Sequence, residues 1–179
     1  SAATTGLAFG LDPTLAGLDM IKAWKEKLGS YKPLKPVDVA KGPITENLDS
    51  GAKVDMLKFP TPRWHEDDGG RYIGTGCLVI LRDPEEQWTN FGTYRVCVYD
   101  RDTLGIWISP GKHGRLIREK YWSQGRPCPV AITFGQDPVL AKVGSWYEPW
   151  GVSEVEIAGW LRNEPVQVVR GQETGLPIP

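Results

Sequence analysis

Thr89–Trp122 reads TNFGTYRVCVYDRDTLGIWISPGKHGRLIREKYW, a hairpin that runs through a glycine-rich turn into a helix. Phe91–Tyr99 and Thr103–Ile108 are rich in β-branched and aromatic residues, as half-buried strands require. Asp100-Arg101-Asp102 connects them tightly, so the two runs are expected to pair. Ser109-Pro110-Gly111-Lys112-His113-Gly114 follows and carries one of only two histidines in the chain. A helix is then predicted from Gly114 to Gln124, with Leu116, Ile117 and Tyr121 on its apolar side and Gly125 as its stop. A strand feeding such a turn and a basic helix start brings backbone N–H groups and a partial positive charge to one place. That suits an anionic ligand.

Outward from this stretch, Tyr72–Arg82 is strongly β-prone and Pro129–Phe134 reads as a short buried strand. Asp137-Pro138 should start a brief helix to about Val143. Ser153-Glu154-Val155-Glu156 has the form of a capping box, with Ser153 as N-cap and a helix to about Leu161. A last strand is expected over Pro165–Arg170. Nearer the start, Asp12-Pro13 can open a helix in which Leu15, Leu18, Met20, Ile21 and Trp24 make an imperfect apolar stripe, ending at Gly29. Pro33, Pro36 and Pro43 then favour an extended connector. Residues 1–60 are read as the tail of an upstream domain or as packing arms, and 61–179 as the organised region. Short strands with hairpins and small helices favour an α+β fold, a small antiparallel or mixed β barrel with flanking helices, over a doubly wound sheet.

At 179 residues the chain is long enough for one good core. A formal charge of −1 gives no whole-protein attraction to nucleic acid or anionic membrane, so any anion site must be local. No apolar run approaches the roughly 18 residues of a membrane span, and no signal peptide is visible. Cys77, Cys97 and Cys128 are odd in number and widely spaced. They fit buried thiols in a reducing cytoplasm better than a disulfide framework or a zinc site. The chain begins at Ser1 rather than Met, so a missing upstream segment is expected.

Four residues stand out. Asn90, His113 and Glu154 supply two oxygens and a nitrogen, a set suited to manganese or magnesium rather than to structural zinc; the other reading of His113 is a surface imidazole on a turn. Arg95 lies in an apolar strand and needs a partner. Its fork fits a carboxylate at two points, or it pairs on a barrel rim with Asp100, Asp102 or Glu119. Asn90 and Arg95 are five apart, so a regular strand would set them on opposite faces. Their convergence requires Asn90 to precede the strand, or a bulge at Gly92. Trp64-His65-Glu66-Asp67-Asp68 has the composition of a metal site, but consecutive loop residues rarely converge on one ion. Lys112, Arg115, Arg118 and Lys120 form a basic patch that a solvated helix face largely explains.

The segments TNFGTYR, ISPGKHGRLIREKYW, PCPVAITFGQDP and PWGVSEVEIAGWLRNEPVQVV resemble the prenylated-flavin-dependent decarboxylases of the UbiD type. WHEDDGGRYIGTG and the closing TGLPIP are similar too. The resemblance implies a split barrel related to flavin reductases. It also implies a prenylated FMN (made by a flavin prenyltransferase) held through Mn2+ or Mg2+, with K+ nearby. By motif, Asn90, His113 and Glu154 would be the metal ligands and Arg95 the catalytic arginine that positions the substrate carboxylate. Phe91, Thr93, Tyr94, Arg95, Lys112 and Ser145 would line the flavin. The implied reaction is reversible, non-oxidative decarboxylation of an aromatic, heteroaromatic or α,β-unsaturated acid. A flavin reductase or other flavin-binding module on the same barrel is the rival reading.

Members of that family are much longer. They continue into a pair of catalytic glutamates and a C-terminal domain that makes most dimer contacts. Neither Glu164 nor Glu173 fits that pattern. The expectation is therefore a fragment of a cytoplasmic, homo-oligomeric enzyme whose remainder supplies the proton donor.

Overall fold

The computed structural model describes residues 2–179. Two helices, α1 (Ala2–Ala8) and α2 (Gly17–Gly29), precede a two-residue strand β1 (Val37–Asp38) and three single-turn 3-10 segments ending at Lys58. The organised region follows as β2 (Arg71–Gly74), β3 (Leu78–Arg82), β4 (Thr89–Gly92), β5 (Arg95–Val98), β6 (Leu104–Trp107), α3 (His113–Ser123), β7 (Ala131–Thr133), α4 (Pro138–Val143), α5 (Glu154–Arg162), β8 (Gln167–Arg170) and β9 (Pro177–Ile178). This is the expected α+β class. The strands pair as three small sheets, ordered β1-β8-β9, β2-β5-β6 and β4-β3-β7.

Two long predicted strands are each broken in the middle, at facing positions. Tyr72–Arg82 becomes β2 and β3, and Phe91–Tyr99 becomes β4 and β5. Leu81 faces Asn90 in one sheet while Tyr72 faces Cys97 in the other, so residues 71–98 form one long hairpin bent across two sheets. At one break Gly74 meets Cys77 so closely that a Cβ there would sit 2.3 Å from Sγ, and the β2–β5 register shifts between Tyr72 and Gly74. At the other, the Thr93 N–H leaves the ladder and donates to Gly144 O at 2.8 Å. Propensity is satisfied on both sides of each break. Tertiary contacts place the breaks.

Strand β3 is buried on both faces. Leu78 and Ile80 enter a core with Phe91, Val143, Val155 and Leu161, whereas Cys77, Val79 and Leu81 enter a second core with Val96, Ile117 and Tyr121. The predicted apolar side of α3 is thus carried by Ile117 and Tyr121, while Leu116 stays exposed. Gly125, at φ +67°, takes the left-handed conformation that stops α3.

The first predicted helix, with Pro13 at its first position, starts four residues late, at Gly17. Asp12 Oδ1 accepts the Thr14 N–H at 2.8 Å, a local turn that competes with helix. Of its apolar stripe only Met20 is buried, and Leu18 and Ile21 lie exposed. The N-terminal segments pack on the first core through Phe9, which stacks on Trp24 at 4.7 Å. The cysteines are free, Cys77 and Cys97 buried and Cys128 half-buried, and burial pushes the Cys77 and Cys128 thiols up to about 11.

Candidate active site

The break between β4 and β5 builds the site. Asn90 sits inside β4 and Arg95 opens β5, in different sheets, yet both line one cleft of 170 Å³. The strand-face conflict is therefore removed by a break after Gly92 rather than by an extra residue within one ladder. His113, Lys112, Thr93, Tyr94, Ser145 and Glu154 line the same cleft. Phe91 does not. It is fully buried in the first core and contributes its backbone N–H.

Glu154 opens α5 and is 3% exposed. Its Oε1 accepts Asn90 Nδ2 at 2.7 Å and its Oε2 accepts the Phe91 N–H at 2.8 Å. Burial pushes the carboxyl up to about 7 against those hydrogen bonds. No ammonium or guanidinium pairs with it among the described residues. The predicted capping box is not formed: Ser153 Oγ donates to Thr89 O at 2.6 Å, tying the start of α5 to β4.

Tyr94 links the strand break to α3. Its hydroxyl donates to Asn90 Oδ1 at 3.0 Å and accepts the Gly114 N–H at 3.1 Å, and burial pushes it up to about 12. Its ring lies against Gly92 and Gly114, where a Cβ would approach ring carbons to 2.5 and 2.7 Å. The glycines of both motifs are thus needed for close approach. Pro110 and Gly111, the latter at φ +80°, make the turn that presents Lys112 and His113.

Burial, then the nearby Lys112 ammonium, hold the His113 imidazole below its usual range, which favours the neutral, metal-binding form. Lys112 Nζ stands 5.0 Å from the Tyr147 ring centre. Ser145 Oγ is turned back to Lys142 O at 2.6 Å. The rest of the basic patch is occupied elsewhere: Arg115 pairs with Glu119 at 2.8 Å, Arg118 stacks over Trp122 at 4.1 Å and Lys120 pairs with Asp83 at 2.8 Å.

Arg95 is exposed and has no ion-pair partner among the described residues, so the rim pairing with Asp100, Asp102 or Glu119 is not made. In the Trp64–Asp68 loop, Asp68 Oδ2 accepts the N–H groups of Trp64 and His65 at 3.1 and 3.0 Å, which is turn chemistry. Sequence reasoning missed Trp107, Trp146, Tyr147 and Glu148 in the cleft. Trp107 faces Arg95 across β5 and β6 and had a signal in that pairing. The others lie on the irregular stretch after α4, where no periodicity marks a face.

Residues 35–179 match the model of the UbiD 3-octaprenyl-4-hydroxybenzoate carboxy-lyase Rift-related domain. The chain belongs to the UbiD family. It is 37% identical over 173 residues to a pyrrole-2-carboxylic acid decarboxylase of Pseudomonas aeruginosa, covering 97% of this chain and 35% of that protein. It is 34% identical to ferulic acid decarboxylase 1 of Saccharomyces cerevisiae, covering 95% and 34%. Among solved structures, vanillic acid decarboxylase of Sedimentibacter hydroxybenzoicus in closed form matches with a TM-score of 0.87 at 28% identity, covering 100% and 39%. An evolved dimeric form of the UbiD-class enzyme HmfF of Pelotomaculum thermopropionicum in complex with prFMN matches with a TM-score of 0.87 at 27% identity, covering 100% of this chain and 40% of that one. The chain thus spans about a third of the length of the curated relatives it matches. Among the described residues, no helix of this UbiD chain is long and apolar enough to cross a membrane.

Proposed function

We propose that this chain is the flavin- and metal-binding part of a carboxy-lyase that decarboxylates an aromatic, heteroaromatic or α,β-unsaturated acid. The observation that carries the reading is the buried Glu154 carboxylate. Joined to Asn90 and lacking a protein cation, it shares its cleft with His113 and an unpaired Arg95. Burying a carboxylate without a cation is costly. A divalent ion bound by Asn90 Oδ1, a His113 nitrogen and Glu154 would supply the missing charge, and this hard, mixed set suits Mn2+ or Mg2+. K+ is proposed as a further ion nearby.

Prenylated FMN, when bound, supplies an electron sink for the carbon that loses CO2. The residues of this chain position the reactants. Arg95 holds the substrate carboxylate through its planar fork. Asn90, His113 and Glu154 would hold the divalent metal, which would supply positive charge for an anionic part of the cofactor. Thr93, Tyr94, Lys112 and Ser145 form the flavin-side wall, and Phe91 supports it from the core through the bond of its N–H to Glu154.

The cleft is smaller than the roughly 300–1,000 Å³ of an ordinary ligand pocket. A second groove of 470 Å³ shares Arg95 and Trp107 with it. We therefore assign residues 61–179 to one wall of the flavin site. The other wall, the acid that returns a proton to carbon, and the contacts of a homo-oligomer belong to the remainder of a longer protein. A flavin prenyltransferase would supply the cofactor.

The test is CO2 release by the full-length protein, reconstituted with prenylated FMN and Mn2+, from pyrrole-2-carboxylate, ferulate, vanillate and gallate. Turnover of one of them, lost in Glu154→Ala, is expected. Oxidation of a reduced nicotinamide with added FMN, and no CO2 from any acid, would favour a flavin reductase instead.

A further inference from the structure

A metal-ligating histidine ordinarily gives its second ring N–H to a carboxylate or carbonyl, and that bond sets the ring's orientation. His113 makes no such side-chain bond among the described residues. Aromatic rings surround it instead. The Trp88 indole meets it at 5.5 Å and 88°, and the Trp150 indole at 5.3 Å and 90°. The two indoles meet each other at 4.9 Å and 80°. Edge-to-face contacts at such separations are attractive and directional. The imidazole is wedged against both.

Trp150 is itself held from behind. Its Nε1–H donates to Glu86 Oε1 at 2.9 Å, and Lys120 Nζ stands 5.0 Å from its ring centre, within cation–π range. Lys120 is clamped in turn, 2.8 Å from Asp83 Oδ2 and 2.9 Å from Glu85 Oε2. Asp83 is fully buried, and its Oδ1 accepts the N–H groups of Glu85 and Glu86 at 2.9 and 2.8 Å, which fixes the turn bearing all three carboxylates. His113 and Lys120 are seven residues apart on α3, two helical turns, so they share a face. That face meets Trp150 at both points.

We infer that Lys120 and Trp150 are positioning residues for His113. The clamped ammonium holds the indole, and the indole holds the imidazole so that one ring nitrogen can reach a metal shared with Asn90 and Glu154. Neither Lys120 nor Trp150 lines the cleft, so both act through His113. The inference rests on the reading of His113 as a metal ligand.

The test is Mn2+ binding by the full-length protein, read as free Mn2+ by electron paramagnetic resonance, with thermal unfolding to verify the fold. Trp150→Leu and Lys120→Met should each weaken Mn2+ binding about 10–100-fold, the usual effect of losing a ligand's support. Trp150→Phe keeps a ring and should lose less than Trp150→Leu. In the Trp150→Leu background, Lys120→Met should have no further effect, because its route to His113 is already cut. Lys120→Met keeps the aliphatic stem, so it tests the inference even where Trp150→Leu does not fold. Wild-type Mn2+ affinity in Lys120→Met, or effects that multiply in the double variant, would overturn the inference. If His113→Ala binds Mn2+ like wild type, the ligand reading itself fails. If His113→Ala abolishes binding and Lys120→Met leaves it intact, only the positioning role fails.

Discussion

Asn90 Nδ2 donates to Glu154 Oε1 at 2.7 Å across 64 residues of chain, joining the edge strand β4 to the first turn of α5. This bond and the Phe91 N–H occupy one site on each carboxylate oxygen and leave further lone pairs toward the cleft. In Glu154→Gln one amide edge must face the Asn90 amide, while the desolvated charge disappears. Those effects oppose each other, so metal-free stability should stay within about 1 kcal/mol of wild type. Mn2+ retention should nevertheless be lost. Urea unfolding and metal analysis on the same samples separate the two, and an unchanged manganese content would remove Glu154 from the ligand set.

Tyr94→Phe deletes a hydroxyl that serves Asn90 Oδ1 and the Gly114 N–H together. Both groups are left without their partner in a largely buried place. The expected cost is about 1–3 kcal/mol in unfolding free energy, accompanied by weaker flavin retention because the start of α3 loosens. Denaturant titration and flavin absorbance after gel filtration measure each part.

Arg95 separates stability from activity. It is exposed and pairs with no carboxylate among the described residues, so Arg95→Lys should change stability by no more than about 0.5 kcal/mol. Decarboxylation should still fall by about 100-fold or more, since an ammonium cannot hold a carboxylate at two points. Steady-state CO2 release with a parallel melting curve tests this, and wild-type turnover would return Arg95 to a surface role.

Asp83 carries an acid-sensitive share of stability. Burial acts to raise its pKa, but the Glu86 N–H, the Lys120 ammonium and the Glu85 N–H outweigh burial and hold it below the usual range. A carboxyl lowered on folding stabilises above its unfolded value, about 3.9. That share is lost as pH falls through the folded value. Asp83→Asn should therefore be less stable than wild type at pH 7, with the gap narrowing below about pH 4. Urea midpoints from pH 7 to pH 3 give the gap, and a constant difference would mean that the carboxylate charge contributes nothing.

Much of the organised region was legible because local chemistry and tertiary packing agree there. The β5–β6 hairpin, α3 with its glycine stop, the Asp137-Pro138 helix start and the segment-long resemblance follow from local residue types. Asp137 does cap α4, accepting the Val139 N–H at 2.8 Å. The Ser153 capping box failed because the hydroxyl found a better-placed acceptor on β4. A residue count along α5 cannot reveal a neighbouring strand.

By itself, the order of residues determined which short segments prefer strand, turn or helix, and which donors are available to a metal and a carboxylate. Those preferences act over a few residues, through backbone sterics and local hydrogen bonds. Tertiary structure alone decided where the two long strands break, that Asn90 and Arg95 share a cleft despite their odd spacing, and that Trp88 and Trp150 close on His113. Each of these is a contact between chain segments, set by which pairings bury the most apolar surface without leaving a backbone group unpaired. Thr93 illustrates it: its N–H leaves the strand because Gly144 O, 51 residues on, offers it a partner.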